Sequence, residues 1–338
     1  MKKRRIGATA LEVTEYSFGG ASLGNLYHVV SREDSDAALE AAWSSGMRYF
    51  DTAPHYGFGL SERRFGDFLR QKPRDSYVLS TKVGRLLKPV PEDQVPKLGF
   101  VEPLPFKLEY DYSYDGIMRS VDFSYARLGL NRIDILFVHD IGVYTHGVEL
   151  TKVHMRQLLD GGLKALDELK TAGTISAYGL GVNEVQVCLD VMHRAPIDCI
   201  LLAGRYSLLD RSAEADLIPL CRKKKTSLVI GGVFNSGILA TGAAAGAHFD
   251  YGPASPDVLE KVGAMSKIAS EGGYPLAAAA LEFPLHDPVV ATVLVGTAKA
   301  SSLTRNMELL KTAVPASDFG KYRPHTIVQT PPTGAVRE

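Results

Sequence analysis

The feature that most constrains this chain is an alternation. Short apolar runs with strand character recur eight times along 338 residues, and amphipathic segments with helical spacing lie between and after them. The strand runs are Tyr16–Gly19, Met47–Asp51, Tyr77–Lys82, Ile133–His139, Ile175–Val182, Asp198–Leu202, Ser227–Gly232 and Thr292–Val295. The helical patterns fall near Glu33–Gly46, Gly59–Gln71, Asp115–Leu130, Leu158–Ala172, Glu184–His193, Ala213–Lys225, Pro256–Ser270 and Ser301–Lys311. Gly46, Gly129 and Gly173 stand where a left-handed helix stop is expected. Eight such units in a chain somewhat above ~250 residues favour an α/β fold of the closed (β/α)8 TIM-barrel type over an open doubly wound sheet.

Lys3–Ile6 and Leu11–Val13 flank Gly7–Ala10 and predict an N-terminal β-hairpin that plugs the amino-terminal mouth of the barrel. Residues 84–112 carry Pro89, Pro91, Pro96, Pro103 and Pro105 and read as one long irregular loop on the carboxyl-terminal face, either a lid or binding segment or a solvated insertion. A polar, proline-bearing tail over about 313–338 is expected to wrap the surface. No internal repeat or linker interrupts the pattern, so residues 1–338 read as a single domain.

Composition sets further bounds. With 45% hydrophobic and 22% charged residues the chain reads as an ordinary soluble globular protein. Its 38 Lys+Arg cancel 38 Asp+Glu, which argues against a general electrostatic grip on nucleic acid or anionic lipid. Cys188, Cys199 and Cys221 match no metal or disulfide spacing and are expected as reduced core thiols, in keeping with a cytoplasmic protein. The basic start, Met1 to Arg5, leads into a stretch broken by Glu12 that is too short for a signal sequence, and no apolar run reaches membrane-spanning length.

In a barrel of this kind, polar residues just past the strands line the active-site mouth. The second strand ends in Asp51-Thr-Ala-Pro-His-Tyr56, the third in Ser80-Thr-Lys82 and the fourth in Val138-His139-Asp140. Each residue alone has a plain structural reading: Asp51 as a helix cap, Lys82 as a rim charge, His139 as a buried imidazole, Tyr56 as a packing ring. Together they can do acid–base work. A buried Lys82 kept protonated by Asp51 would lower the Tyr56 hydroxyl from its ordinary value near ~10, and His139 would orient the substrate oxygen. Side chains cannot accept a hydride, so a redox role requires a nicotinamide.

The hairpin, the Asp51–Tyr56 run and the ends at Lys82 and His139 resemble the aldo-keto reductase family over nearly the whole chain. The resemblance implies Tyr56 as proton donor or acceptor supported by Lys82, Asp51 and His139, with a nicotinamide dinucleotide across the mouth. Cofactor contacts would come from Gly20, Ala21 and Asp51, from Asn183, and from Tyr206 as the ring stacked on the nicotinamide. Val233, Phe234, Asn235 and Gly237 would hold the pyrophosphate, with Gly296, Thr297, Lys299, Ser302 and Asn306 around the adenosine end. The chain departs from the family pattern at Val182, Ala203 and the loop 231–237. At the positions where NADP-preferring relatives place cations it has Gly296 and Ser302, so the resemblance implies NAD over NADP, with Lys299 the one residue that keeps NADP open.

The segments Ala203–Leu209 and Val138–Asp140 are similar to a branch of the family that oxidises cyclic hemiacetals. This implies oxidation of an aldose of the L-fucose or D-threo type to its lactone, with pyridoxal oxidation or general aldehyde reduction as alternatives. A nicotinamide-binding sensor without turnover is the non-enzyme reading. Tyr27, His55, Asp140 and Arg205 are the rim residues expected at a small-molecule substrate. Other motifs are set aside: Gly57-Phe-Gly59 and Gly179-Leu-Gly181 are incomplete dinucleotide fingerprints, and Arg222–Lys225 reads as a solvated helix end. No metal site is expected.

Overall fold

The computed structural model describes residues 1–329, so the expectation for the end of the tail, at 330–338, lies outside the described residues. Eight parallel strands close a barrel. In chain order the strands are β1 (Lys3–Arg5), β2 (Glu12–Thr14), β3 (Tyr16–Gly19), β4 (Tyr49–Asp51), β5 (Val78–Val83), β6 (Arg85–Pro89), β7 (Phe106–Tyr110), β8 (Ile135–His139), β9 (Ala177–Val182), β10 (Cys199–Ala203), β11 (Ser227–Gly231), β12 (His248–Phe249), β13 (Gly252–Pro253) and β14 (Val290–Val295). The barrel runs β3-β4-β5-β8-β9-β10-β11-β14 and β14 pairs back to β3. All eight strands are those the apolar runs predict.

Alternation along each strand divides the interior into two layers. Tyr49, Ile135, Phe137, Ala177, Cys199, Leu201 and Val229 fill the barrel, while Phe50, Leu79, Leu136, Val138, Leu180 and Ile230 face the surrounding helices. The hairpin β1–β2 closes the amino-terminal mouth as expected: Ile6 and Val13, 0% and 1% exposed, pack into the inner layer. The three cysteines are free and buried.

Glycine at 179 and 181 serves close packing rather than dinucleotide binding. A Cβ on Gly179 would lie 1.6 Å from the Cys199 carbonyl oxygen, and one on Gly181 would lie 3.3 Å from Lys82 Cε. Gly129, in the left-handed region at φ 61°, ends the helix Tyr114–Leu128 as its position predicts.

Three expectations are corrected. Residues 84–112 are not one irregular loop, because β6 and β7 pair antiparallel from Arg85↔Tyr110 to Pro89↔Phe106, with the prolines confined to the strand end and the connection. A helix at Val143–Gln157 was not anticipated; Gly147, at φ 68°, kinks it, and its Val148, Leu150 and Val153 are exposed. The last helical pattern before the seventh strand starts late, at Leu217. The described part of the tail does lie on the barrel: Ile327 exchanges backbone bonds with Leu209 and Arg211. No helix among the described residues is long and apolar enough to cross a membrane.

Candidate active site

Strand register brings the four expected residues together. Asp51 stands opposite Ser80 across β4 and β5, Lys82 points inward two residues further along β5, and His139 at the end of β8 is level with Gly181, whose missing side chain leaves room for the lysine stem. Lys82 Nζ donates to Asp51 Oδ2 at 2.7 Å and to the Thr52 carbonyl at 2.9 Å. The other Asp51 oxygen accepts from Ser80 Oγ at 2.7 Å, and Tyr49 OH lies 2.9 Å from that hydroxyl. Tyr56, in the turn after β4, puts its ring centre 4.8 Å from Lys82 Nζ and 6.1 Å from the His139 ring.

Burial governs the charges. It would strip the Lys82 ammonium of its proton, but Asp51 and then Tyr56 outweigh it and hold the pKa above the ordinary lysine value. Burial raises the Tyr56 hydroxyl, and the lowering pull of Lys82 does not cancel it. The expected net depression of Tyr56 is therefore corrected: desolvation of a phenolate costs more here than one neighbouring cation returns. Burial, then Arg85, Lys82 and His55, hold His139 well below the ordinary histidine value, so its imidazole is neutral. Among the described residues its Nδ1 and that of His55 have no hydrogen-bond partner.

Around this group stands an aromatic wall. The His55 ring lies 5.1 Å from Phe100 and 6.2 Å from Phe58, and Phe100 is 6.4 Å from Tyr56. Phe100 comes from the β6–β7 connection, which Tyr27 N and Val101 N tie to the loop after β3 by bonds to Gly99 and Asn25 carbonyls. Tyr27 itself is 63% exposed at the rim. Asp140 follows His139 at φ 39°, a left-handed conformation that Asp tolerates at a cost of about 1–2 kcal/mol. Its Oδ2 accepts from Arg85 Nη2 at 2.7 Å and lies 3.4 Å from His139 Nε2. Sequence reasoning missed Arg85 and Phe100, both inside the segment read as irregular. The signal available for Arg85 was its place two residues beyond the strand that carries Lys82.

Arg205 does not stand open to a substrate. Its guanidinium, 4% exposed, bonds Asp250 at 3.0 Å and ties the β12–β13 turn to the end of β10. Tyr206 is packed 5.1 Å from Phe283 in the layer between sheet and helices. Its role as the ring stacked on the nicotinamide rests on the family resemblance, with Phe283 packed against it.

The remaining cofactor positions fit an extended dinucleotide through backbone more than side chains. Gly204 and Gly232, at φ 70° and 65°, meet so closely that a Cβ on Gly232 would lie 3.1 Å from Gly204 N. In the turn beyond, the amides of Val233, Phe234 and Ser236 donate to no group among the described residues, which suits phosphate oxygens. Asn235 spends its side chain internally, accepting from Ser207 Oγ and donating to the Gly204 carbonyl, and Gly237 N donates to Phe234 O. Across the mouth, Gly296 and Lys299 are exposed, Thr297 Oγ1 accepts from Lys299 N, and Ser302 and Asn306 lie on the helix Ala300–Leu309, whose first turn has no side-chain cap. Asn183 is half-buried after β9, and Gly20 N donates to the Asp51 carbonyl just before the turn that begins at Ala21. No cluster of three metal-ligating side chains occurs among the described residues.

Residues 16–326 match the Aldo/keto reductase family, and the chain belongs to that family; it is an NAD(P)-dependent oxidoreductase. Among curated proteins it is 45% identical to a pyridoxal 4-dehydrogenase of Microbacterium luteolum, covering 93% of this chain and 94% of that one. It is 36% identical to a D-threo-aldose 1-dehydrogenase of a Pseudomonas species, covering 96% and 97%. Among solved structures it superposes on an aldo-keto reductase of Bacillus halodurans in its holo form with a TM-score of 0.74 at 25% identity, covering 100% of this chain and 98% of that one.

Proposed function

We propose that this enzyme oxidises the ring hydroxyl of a cyclic hemiacetal to a lactone, with NAD preferred to NADP. The observation that carries the chemistry is the buried Lys82–Asp51 pair beside the Tyr56 ring, faced by a neutral His139. When bound, the nicotinamide supplies the acceptor for the hydride that leaves the hemiacetal carbon. The other product of that bond change is a proton, and the chain handles it. Tyr56 takes it from the hemiacetal hydroxyl, Lys82 stabilises the phenolate form that can do so, and His139 holds the substrate oxygen by a hydrogen bond.

The rings of His55 and Phe100, backed by the buried Phe58, suit a flat aromatic substrate, and the 45% identical relative is named for pyridoxal. A sugar is the second reading, favoured by the Asp140 carboxylate at the rim and by the relative named for D-threo-aldoses. The preference for NAD follows from Gly296 and Ser302, which offer no charge to a 2′-phosphate. The test is turnover of pyridoxal, L-fucose, D-arabinose and plain aldehydes with each cofactor in both directions. Hemiacetal oxidation with NAD is expected; reduction of plain aldehydes by NADPH without any hemiacetal oxidation would overturn the proposal. Tyr56→Phe should bind cofactor normally and lose about 100-fold or more in turnover.

A further inference from the structure

Resting on the hemiacetal reading, we propose that Asp140 accepts a hydrogen bond from a second substrate hydroxyl beside the reacting carbon, with Arg85 as its positioning residue, so that the enzyme selects hemiacetals carrying that hydroxyl. The pair is built asymmetrically. Arg85 is 4% exposed in its side chain, whereas Asp140 is 22% exposed, so the pair opens to the mouth only through its carboxylate. Arg85 engages Oδ2 alone, at 2.7 Å, and Oδ1 accepts no hydrogen bond among the described residues. A buried ion pair kept only for stability would be a poor device, since its desolvation cost rivals its attraction.

The location gives the free oxygen a purpose. Asp140 Oδ2 lies 3.4 Å from His139 Nε2, so a substrate whose reacting oxygen meets His139 brings the oxygen on its neighbouring carbons up to the Asp140 carboxylate. The left-handed backbone at residue 140, φ 39°, sets this direction, and the adjoining Asp140 N–H is fixed on the Gly181 carbonyl at 2.9 Å. Arg85, always charged, favours the ionised carboxylate against the burial that raises its pKa, and an ionised carboxylate only accepts. Its complement is therefore a donor, a hydroxyl. An aldose has one at the carbon next to the anomeric centre; pyridoxal has one a carbon further from its reacting carbon, a donor in its un-ionised form. Neither Arg85 nor this selectivity is needed for the proton exchange at Tyr56.

The experiment compares kcat/KM for L-fucose against 2-deoxy-L-fucose, and for pyridoxal against 3-deoxypyridoxal, in the unaltered enzyme and in Asp140→Asn, Arg85→Met and Arg85→Lys. The unaltered enzyme is expected to prefer the hydroxylated member of the pair it oxidises by about 100-fold or more, because the deoxy compound leaves the carboxylate oxygen that Arg85 does not engage without a donor. Asp140→Asn and Arg85→Met should shrink that ratio at least about tenfold, chiefly through KM for the hydroxylated member, and Arg85→Lys should restore part of it. Asparagine tolerates the left-handed backbone, which protects the fold of that variant. Equal turnover of both members by the unaltered enzyme, or equal losses on both in Asp140→Asn, overturns this inference and leaves lactone formation standing. Failure of the unaltered enzyme to oxidise any hemiacetal overturns both.

Discussion

At the scale of single residues the site is decided by desolvation. Tyr56 is a phenol held above its ordinary pKa by burial, and Lys82 moderates that rise without reversing it. In the oxidative direction Tyr56 must lose its proton to act, so kcat/KM for hemiacetal oxidation should climb with pH through neutrality into the alkaline range, while reduction, which needs the protonated phenol, should be sustained at neutral pH. A pH profile flat between pH 6 and 9 would remove Tyr56 from the proton path. Lys82→Met should push the oxidative limb to still higher pH and cost about 100-fold or more at neutrality, because it deletes the cation and leaves Asp51 buried and unpaired. On the cofactor side, Ser302→Arg should raise kcat/KM with NADP by about 10- to 100-fold, the worth of one charge-assisted hydrogen bond of ~1.5–3 kcal/mol, with little change for NAD.

At the scale of elements, what was legible in the sequence follows from burial. The strands were readable because both their faces are apolar, as in Ile135–His139, where every residue is buried. The β6–β7 hairpin was hidden because its strands carry Lys88 and Lys107 toward solvent, with Glu109 half-buried, and because Pro89 ends β6 and Pro105 precedes β7. The helix Val143–Gln157 was hidden by Gly147 and by a sparse apolar face. Asp51, Lys82 and His139 were legible because strand register fixes where inward residues end. Arg205 was placed by its position just past a barrel strand, which gives a place at the rim but not the direction of a side chain, and Asp250 takes it up instead. The hairpin β1–β2 lies at the opposite end of the barrel from this chemistry. Ile6→Ala should therefore cost about 2–4 kcal/mol in chemical denaturation while leaving KM unchanged. A changed KM would mean that the plug and the mouth are coupled through the inner layer.

At the scale of the whole molecule, the barrel holds several titratable groups out of water, and histidines dominate its response to mild acid. His55 and His139 are held well below the ordinary histidine value by burial, then by Arg85 and Lys82. His146 is pushed down to about 3 by burial first, then by His154 and Arg85, although the Asp140 backbone pulls the other way. It lies 2.9 Å from Tyr112 OH, whose hydroxyl also donates to the His139 carbonyl, so it braces the strand end that carries the site. All three are neutral in the folded chain and become charged on unfolding once the pH falls below about 6.5. The unfolded state then binds more protons, so their contribution to stability is full above that pH and is lost as pH falls, by about 1.4 kcal/mol per pH unit for each histidine. The carboxyls of Asp51 and Asp140 oppose this lower down, because burial raises their pKa and the folded state takes up their protons first. A single substitution separates the two effects. His146→Gln keeps a polar partner for Tyr112 and removes one titration, so the slope of unfolding free energy against pH between about 6 and 5 should flatten by nearly one proton relative to the unaltered chain. Urea denaturation at several pH values measures that slope, and an unchanged slope would show that His146 is already charged in the folded barrel.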